Sequence, residues 1–146
     1  MVRFVIITLS LAVFGLSLAF PAICFDTSDG KYPGSLCLMI GWLAILEGMP
    51  MWLANPLLLL CLIFLGFKQY GIAFGLGLPA VSLALYSLSI KAMACDDQGV
   101  MIPVTGFGAG FYLWLLSMVI PTVGSFILSL ERKQSPDSES HRAFRG

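Results

Sequence analysis

The feature that most limits the fold of this chain is a series of long apolar runs with almost no charged residues in them. Residues 2–20, 51–67, 71–90 and 111–130 each approach the ~20 apolar residues that a helix needs to cross a bilayer. Only 11% of the 146 residues are charged, whereas soluble domains carry about 25%. The chain cannot cover a soluble surface with charge, so the sequence predicts an integral membrane protein.

The predicted fold class is all-α. Backbone groups in hydrocarbon must pair within a helix or around a closed barrel, and these runs lack the alternation of barrel strands. We therefore predict one bundle of four transmembrane helices plus a short interfacial or re-entrant helix, in a domain of residues 1–130 with spans at about 3–21, 51–67, 71–90 and 111–130. The charged, serine-rich residues 131–146 are predicted to form a disordered cytoplasmic tail.

The first run could instead be a cleaved signal peptide, because Arg3 precedes its apolar stretch. Bulky Phe20 and Ile23 stand where small residues would flank a cleavage site. We therefore interpret this run as a helix that ends at Pro21.

Residues 36–50 form an apolar run that is too short to span a bilayer upright. Tryptophan prefers the headgroup level, so Trp42 and Trp52 favour a segment near the interface, followed by a span from about Met51. Asn55 is predicted to cap the helix that begins at Pro56, since proline is well tolerated in a first turn.

The remaining segments are expected to connect or pack the spans. Residues 26–35 and 91–98 are polar and predict loops, and the glycine-rich residues 99–110 predict a flexible lead-in to the last helix. Gly71, Gly75 and the Gly77/Pro79 pair put small residues on one helix face at four-residue spacing, which predicts close packing against a neighbouring helix. Pro121 is expected to kink the last helix.

The charge distribution predicts the orientation. Six basic residues fall on the terminal side of the predicted spans, namely Arg3, Lys68, Arg132, Lys133, Arg142 and Arg145. The other side holds Lys31, Lys91 and most of the acidic residues. Basic residues stay in the cytoplasm, so both termini are predicted to be cytoplasmic in a multi-pass protein of the bacterial inner membrane.

Cys24 and Cys37 flank the first predicted outer loop. In an oxidising compartment they could form a disulfide that closes a short loop, and otherwise they remain thiols at the membrane boundary. Both alternatives stay open from the sequence. Cys61 lies in the middle of a span and is predicted to pack there.

Glu47 is the only ionisable residue inside an apolar run, and such a residue is a functional candidate by default. It could bind a cation, carry a proton or contact a partner, or it could lie wet at the interface, which we favour. The chain has no Ser/His/Asp set, no metal-ligand spacing and a single histidine in its tail. The sequence thus predicts no enzyme, no metal, no cofactor and no nucleic-acid binding.

The chain resembles a group of small bacterial inner-membrane proteins. The resemblance rests on Gly41-Trp42-Leu43, on WLANPLLLL at residues 52–60, and on YLWLLS at residues 112–117. It covers the membrane part and not the tail, and it implies a location and a topology without an activity. The chain departs from that pattern at Glu47, Met49 and Pro50, so the resemblance gives Glu47 no role.

Three functional classes compete. A non-enzymatic protein that contacts a membrane partner, such as an accessory subunit or an immunity protein against a pore-forming toxin, needs only a small bundle in the bilayer. A small-molecule or proton-linked transporter that uses Glu47 is the alternative. A quinone-coupled thiol oxidoreductase needs a close cysteine pair, and Cys24 and Cys37 are too far apart in the sequence to provide one. We favour the first class, with Glu47, Asn55, Trp42 and Trp52 as candidate functional residues.

Overall fold

The computed structural model describes residues 1–25, 31–46, 50–90, 92–94 and 101–143. Its elements in chain order are α1 (Val2–Ala19), β1 (Pro21–Phe25), β2 (Lys31–Pro33), α2 (Gly34–Ile40), α3 (Leu43–Leu46), a 3-10 turn (Pro50–Leu53), α4 (Ala54–Gly66), α5 (Tyr70–Tyr86), a second 3-10 turn (Ser87–Ser89), β3 (Ala92–Ala94), β4 (Met101–Phe107) and α6 (Ala109–Ala143).

Within the described residues, three helical segments are long and apolar enough to cross a membrane. They are Val2–Ala19 with 18 residues, Tyr70–Ser89 with 20 and Ala109–Arg132 with 24. These segments support three of the four predicted spans and mark the chain as a membrane protein. The first span ends where expected, because Phe20 adopts an extended conformation before Pro21 and thereby stops α1.

The remaining predicted span, at residues 51–67, is shorter than expected. Residues 51–67 contain a 3-10 turn followed by α4, whose 13 residues extend only about 20 Å, against a hydrocarbon core of about 30 Å. The 3-10 turn adds roughly 8 Å. The apolar composition of this stretch is that of a span, but the tighter turn at its start leaves the regular helix short.

The bundle interior is built on small residues of α5. Ala73, Gly77, Ala80 and Ala84 are buried, while Gly71 and Gly75 have no atom within 4 Å of an added Cβ. The packing face predicted at Gly71 and Gly75 is therefore wrong, because those residues lie on the opposite side of α5 from its neighbours. The prediction is confirmed at Gly77, which lies on the buried face and where an added Cβ would overlap Thr122 of α6.

Two apolar clusters fill the bundle. One is formed by buried residues of α4, α5 and α6, namely Ala54, Leu58, Leu62, Ala80, Ala84 and Met118. The other contains Cys61, Leu65 and Ala73, against which Ile6, Ile7 and Leu128 pack. Cys61 is fully buried, which confirms its predicted packing role.

A four-stranded antiparallel sheet in the order β2-β1-β4-β3 covers the end of the bundle where α1 stops and α6 starts. Ile23 on β1 is the Cα partner of both Tyr32 on β2 and Phe107 on β4. The all-α class is therefore wrong for this end of the molecule. The predicted flexible lead-in at 99–110 contains β4, and residues predicted as loop contain β2 and β3.

The physical reason is that β1 and β4 are short apolar segments between turn signals. Such segments carry no periodicity that separates a strand from the end of a buried helix. Their pairing also joins residues about 80 positions apart, as in the pair Cys24 and Gly106. Local sequence patterns cannot report a partner at that separation.

Two further segments bear on the predictions. The short interfacial helix predicted within 36–50 corresponds to α2, with 7 residues, and α3, with 4 residues, neither of which could span a bilayer. At the other end of the chain, α6 continues to Ala143 where a disordered tail is predicted from Glu131. Glu131, Arg132, Lys133 and Gln134 are good helix formers that can extend a helix already nucleated in the membrane.

Candidate functional site

Two of the candidate residues, Trp52 and Asn55, lie where the sheet meets the bundle, a region we call the sheet–bundle junction. We define it by Trp52, Asn55, Phe111 and Trp114. Asn55 does not cap α4, because the N-cap residue is Leu53 and Asn55 lies inside the first turn. Its side-chain oxygen instead accepts a hydrogen bond of 2.8 Å from Trp114 Nε1 of α6.

This bond changes the interpretation of both residues. An indole N–H buried in an apolar bundle must find an acceptor, and Asn55 supplies one. Trp114 also packs against the α4–α5–α6 cluster around Met118. The pair therefore fastens the short helix α4 to α6, a role that local capping rules do not predict.

The tryptophans predicted at the interface have different environments. Trp52 is half-buried and donates a hydrogen bond of 3.0 Å to the Leu38 carbonyl, which ties the 3-10 turn to α2. A Cβ at Gly41 would lie 2.8 Å from the Trp52 ring, so that position must remain small. Trp42 is exposed, as are the neighbouring residues Met39 and Leu43.

An aromatic cluster completes the sheet–bundle junction. Phe111 is buried, and its ring centroid lies 4.5 Å from that of Phe107, 5.6 Å from that of Tyr112 and 5.7 Å from that of Trp114. Because Phe107 ends β4 and the other three residues belong to the first turns of α6, the cluster holds the sheet against the helix. The rings pack in tilted and edge-to-face arrangements, which aromatic pairs prefer.

Glycines allow the strands and α6 to meet the end of α1 closely. A Cβ at Gly110 would lie 2.5 Å from the Phe20 carbonyl oxygen and 2.9 Å from those of Ser17 and Pro21. The Gly108 amide donates a hydrogen bond of 3.0 Å to the Ala22 carbonyl, and that of Gly34 donates one of 3.0 Å to the Phe20 carbonyl. Gly108 and Gly110, predicted to give flexibility, therefore serve close backbone contact, whereas an added Cβ at Gly106 would meet no atom within 4 Å.

Glu47 lies outside the described residues, so its predicted role stays a prediction. Cys24 pairs with Lys31 near the far end of the β1–β2 hairpin, whereas Cys37 lies in α2, after the base of that hairpin. Cys24 has a free thiol, and no disulfide joins it to Cys37 in this structure. Their pairing under oxidising conditions stays a prediction.

A buried hydrogen bond from a serine hydroxyl to a backbone carbonyl joins α1 to α6 and was not predicted from the sequence. Ser10 of α1 is fully buried, and its hydroxyl donates a hydrogen bond of 2.7 Å to the Ser117 carbonyl of α6. Ser117 precedes Pro121 by four residues, so the missing proline N–H leaves that carbonyl without its normal helical partner. Ser10 replaces the missing donor, as neighbouring serines do for prolines in membrane helices.

The signal for this hydrogen bond was present in the sequence but incomplete. Pro121 identifies Ser117 as a carbonyl that needs an outside donor. It does not say which of the chain's hydroxyls will reach that carbonyl, because that depends on α1 and α6 being neighbours. Several serines in apolar runs were equally good candidates.

The other buried hydroxyls serve their own helices. They donate to carbonyls three or four residues earlier at 2.6 to 3.2 Å, and they are Ser17, Ser87, Ser117, Thr122 and Ser125. No buried side-chain nitrogen or oxygen among the described residues lacks a hydrogen-bond partner.

No group of three or more metal-binding side chains occurs within the part of the chain that the structure describes. Comparison of the chain with known protein families, with curated proteins and with solved structures finds no match.

Proposed function

We propose that this chain is a multi-pass protein of the bacterial inner membrane that acts by contact with another membrane protein. An accessory subunit and an immunity protein against a pore-forming toxin are the two forms of this role. The proposal includes four spans, with α4 and its preceding 3-10 turn as a short fourth span, and both termini in the cytoplasm.

The closed interior is the observation that carries the proposal. The described core consists of apolar side chains and of hydroxyls that already have hydrogen-bond partners. Catalysis and transport both need polar groups that can exchange hydrogen-bond partners. In membrane bundles such groups face the interior or a water-filled cavity. A protein whose interior is saturated in this way acts through its surface.

The outward face of α5 is the surface that best fits a helical partner. Gly71, Gly75, Pro79 and Ser82 are exposed and follow one another at spacings of three or four residues. The Ser82 hydroxyl donates to the Leu78 carbonyl at 2.9 Å, so it adds little polarity to the face. Small residues at this spacing let a second backbone approach closely, so the occupant we propose is an apolar transmembrane helix of the partner.

The short segment between β2 and α4 completes the proposed arrangement. Exposed Met39, Trp42 and Leu43 give α2 and α3 an apolar side that suits the headgroup level. Trp52 fastens this segment to α4 through Leu38. We place α2 and α3 in the outer interface, lying along the membrane and not across it.

Site-specific photocrosslinking in intact cells tests the partner proposal. A photoreactive amino acid is placed at Gly75 on the proposed face and, as matched controls, at Leu60 of α4 and Val123 of α6, which are also exposed. We expect a discrete protein adduct from position 75 and none from the controls. Adducts of equal yield at all three positions, or lipid adducts alone, would contradict the proposal.

The transporter alternative depends on Glu47 and is tested separately. We expect Glu47→Gln to leave membrane insertion and the crosslink at position 75 unchanged. A proton-linked transport signal in proteoliposomes that disappears with Glu47→Gln would favour transport over partner contact.

A further inference from the structure

Three basic side chains gather at the end of the bundle opposite the sheet, which we call the basic end and define by Arg3, Lys68 and Arg132. Arg132 Nη1 donates a hydrogen bond of 3.1 Å to the Lys68 carbonyl, so α6 and the α4–α5 turn are directly joined. The two residues are 64 positions apart in the sequence, so only the tertiary structure brings them into contact.

Packing one layer deeper places Arg3 at the same end. Ile7 of α1 lies 3.9 Å from the position of an added Cβ at Gly66, the last residue of α4. Ile7 and Leu128 also pack on the same apolar cluster. Arg3 is one helical turn before Ile7, and Arg132 is one turn after Leu128, so both side chains emerge just beyond this layer.

Among the side chains that the structure describes, the basic end carries a net positive charge. None of the three side chains pairs with a carboxylate among the described residues, and Glu131 is the one acidic residue whose side chain the structure describes. The Arg3 guanidinium lies 4.7 Å from the centre of the Phe4 ring, which leaves its charge intact. The first turns of α1 and α5, which begin at this end, contain no acidic residue.

The backbone at Lys68 gives an independent reason to look for a ligand here. Lys68 is the only non-glycine residue with positive φ among those described, at 61°. It follows the end of α4, where glycine is the usual residue because it adopts this conformation without steric cost. Strained residues of this kind concentrate at functional sites, and here a long cationic side chain occupies a position that suits glycine.

We propose that the basic end binds the phosphate headgroup of an anionic phospholipid. Arg132 uses one of its five N–H donors on Lys68, and the others remain for phosphate oxygens, which guanidinium groups bind in pairs. Lys68 and Arg3 add charge at the level where the apolar helices end. A headgroup there places its acyl chains along exposed apolar residues such as Phe67 and Val5. This proposal is independent of the partner contact proposed for α5.

The test uses the full chain reconstituted in phosphatidylcholine with a trace of spin-labelled lipid. Electron paramagnetic resonance compares the association of labelled phosphatidylglycerol with that of labelled phosphatidylcholine. We expect about a tenfold preference for phosphatidylglycerol, since each basic residue near a membrane surface contributes several-fold. The double substitution Lys68→Gln/Arg132→Gln is expected to bring the preference close to parity. The matched control Arg142→Gln/Arg145→Gln removes the same formal charge and is expected to keep the preference.

Lys68→Gly separates binding from folding. It removes one charge and suits the left-handed backbone, so we expect a severalfold weaker preference in a protein whose thermal stability does not fall. A preference that survives this substitution together with Arg132→Gln would overturn the proposal, as would an equal loss in the tail control. If inorganic phosphate binds the protein in detergent while phosphatidylglycerol shows no preference, the ligand is a free anion and the lipid proposal is wrong.

Discussion

The contact between α4 and α5 and the contact between α1 and α6 are built differently. α4 and α5 are neighbours in the sequence, joined by the short turn at Lys68, and no hydrogen bond links the two helices, both of which are fully described. Their contact consists of Leu58, Cys61 and Leu65 against small residues of α5. The contact between α1 and α6 instead contains a buried hydrogen bond and two glycines of α6 in close approach, Gly110 at the Ser17 carbonyl and Gly124 at the Ile6 side chain.

The difference follows from chain connectivity. A short turn brings α4 and α5 together at little entropic cost, so apolar packing is enough to define their contact. α1 and α6 are separated by most of the chain, and in lipid the apolar surfaces themselves give no preference for one neighbour over another. Specific groups that only the correct pair can satisfy, such as Ser10 and the Ser117 carbonyl, make this distant contact selective.

The largest effect is expected where α6 meets the last turn of α1. Gly110→Ala would place a Cβ against three backbone oxygens that cannot rotate away. We expect a loss of about 3 kcal/mol in the free energy of unfolding, measured by denaturing-detergent titration in mixed micelles. Gly75→Ala is the control, because a Cβ there meets nothing, and we expect it to be neutral or slightly stabilising. Equal stability of the two variants would contradict the close contact.

The Ser10 bond is tested by a double-mutant cycle. Ser10→Ala leaves the buried Ser117 carbonyl without a donor, and we expect a loss of about 1–2 kcal/mol. Pro121→Ala restores an N–H that can bond this carbonyl within α6.

In the Pro121→Ala background, the same Ser10→Ala change is therefore expected to cost about 1 kcal/mol less. Ser82→Ala, which removes an exposed hydroxyl bonded within its own helix, serves as the control and should cost little. Additive effects of Ser10→Ala and Pro121→Ala would show that the serine does not substitute for the proline N–H.

Breaking the hydrogen bond between α4 and α6 is expected to cost an intermediate amount of stability. Asn55→Ala removes the acceptor of the Trp114 N–H, and we expect a loss of about 1 kcal/mol. Trp114→Phe removes the donor, and the double variant should lose less than the sum of the two. Trp42→Phe is the matched control, since Trp42 is exposed. The measurement is thermal unfolding in detergent followed by circular dichroism.

The smallest effect is expected in the α4–α5 turn. Lys68→Gly relieves a left-handed conformation and should stabilise the protein by about 0.5–1 kcal/mol. Gln69→Gly, one residue later at negative φ, should instead be neutral or destabilising. A destabilising Lys68→Gly would indicate that the turn depends on the lysine side chain. It would contradict the view that apolar packing is enough to define the contact between α4 and α5.

Orientation is tested by labelling cysteines in intact cells. The proposed topology predicts that Cys24 reacts with a membrane-impermeant reagent from outside, and that buried Cys61 does not react. If reaction of Cys24 requires prior reduction, an outer disulfide is present. If it requires disruption of the membrane, the proposed orientation is inverted.

Much of the helical part could be predicted, because apolar length is a local property of the sequence. The ends of α1, α5 and the membrane part of α6 lie close to the predicted bounds. The packing face of α5 was predicted correctly at Gly77 and wrongly at Gly71 and Gly75, since all three look suitable for close packing until the neighbouring helix is known. The hydrogen bonds of Asn55 with Trp114 and of Trp52 with the Leu38 carbonyl were not predicted, because their partners lie on elements that the sequence does not connect to them.

The sequence by itself determined that this chain belongs in a membrane, because its apolar runs leave too few charges to cover a soluble surface. It also determined where the first helix ends, because Pro21 excludes a helical conformation at Phe20. The tertiary structure alone decided that β1 and β4 pair, that Ser10 donates to the carbonyl released by Pro121, and that the Arg132 guanidinium donates to the Lys68 carbonyl. Each of these depends on residues far apart in the chain, and the free energy of such contacts arises only once the helices have chosen their neighbours.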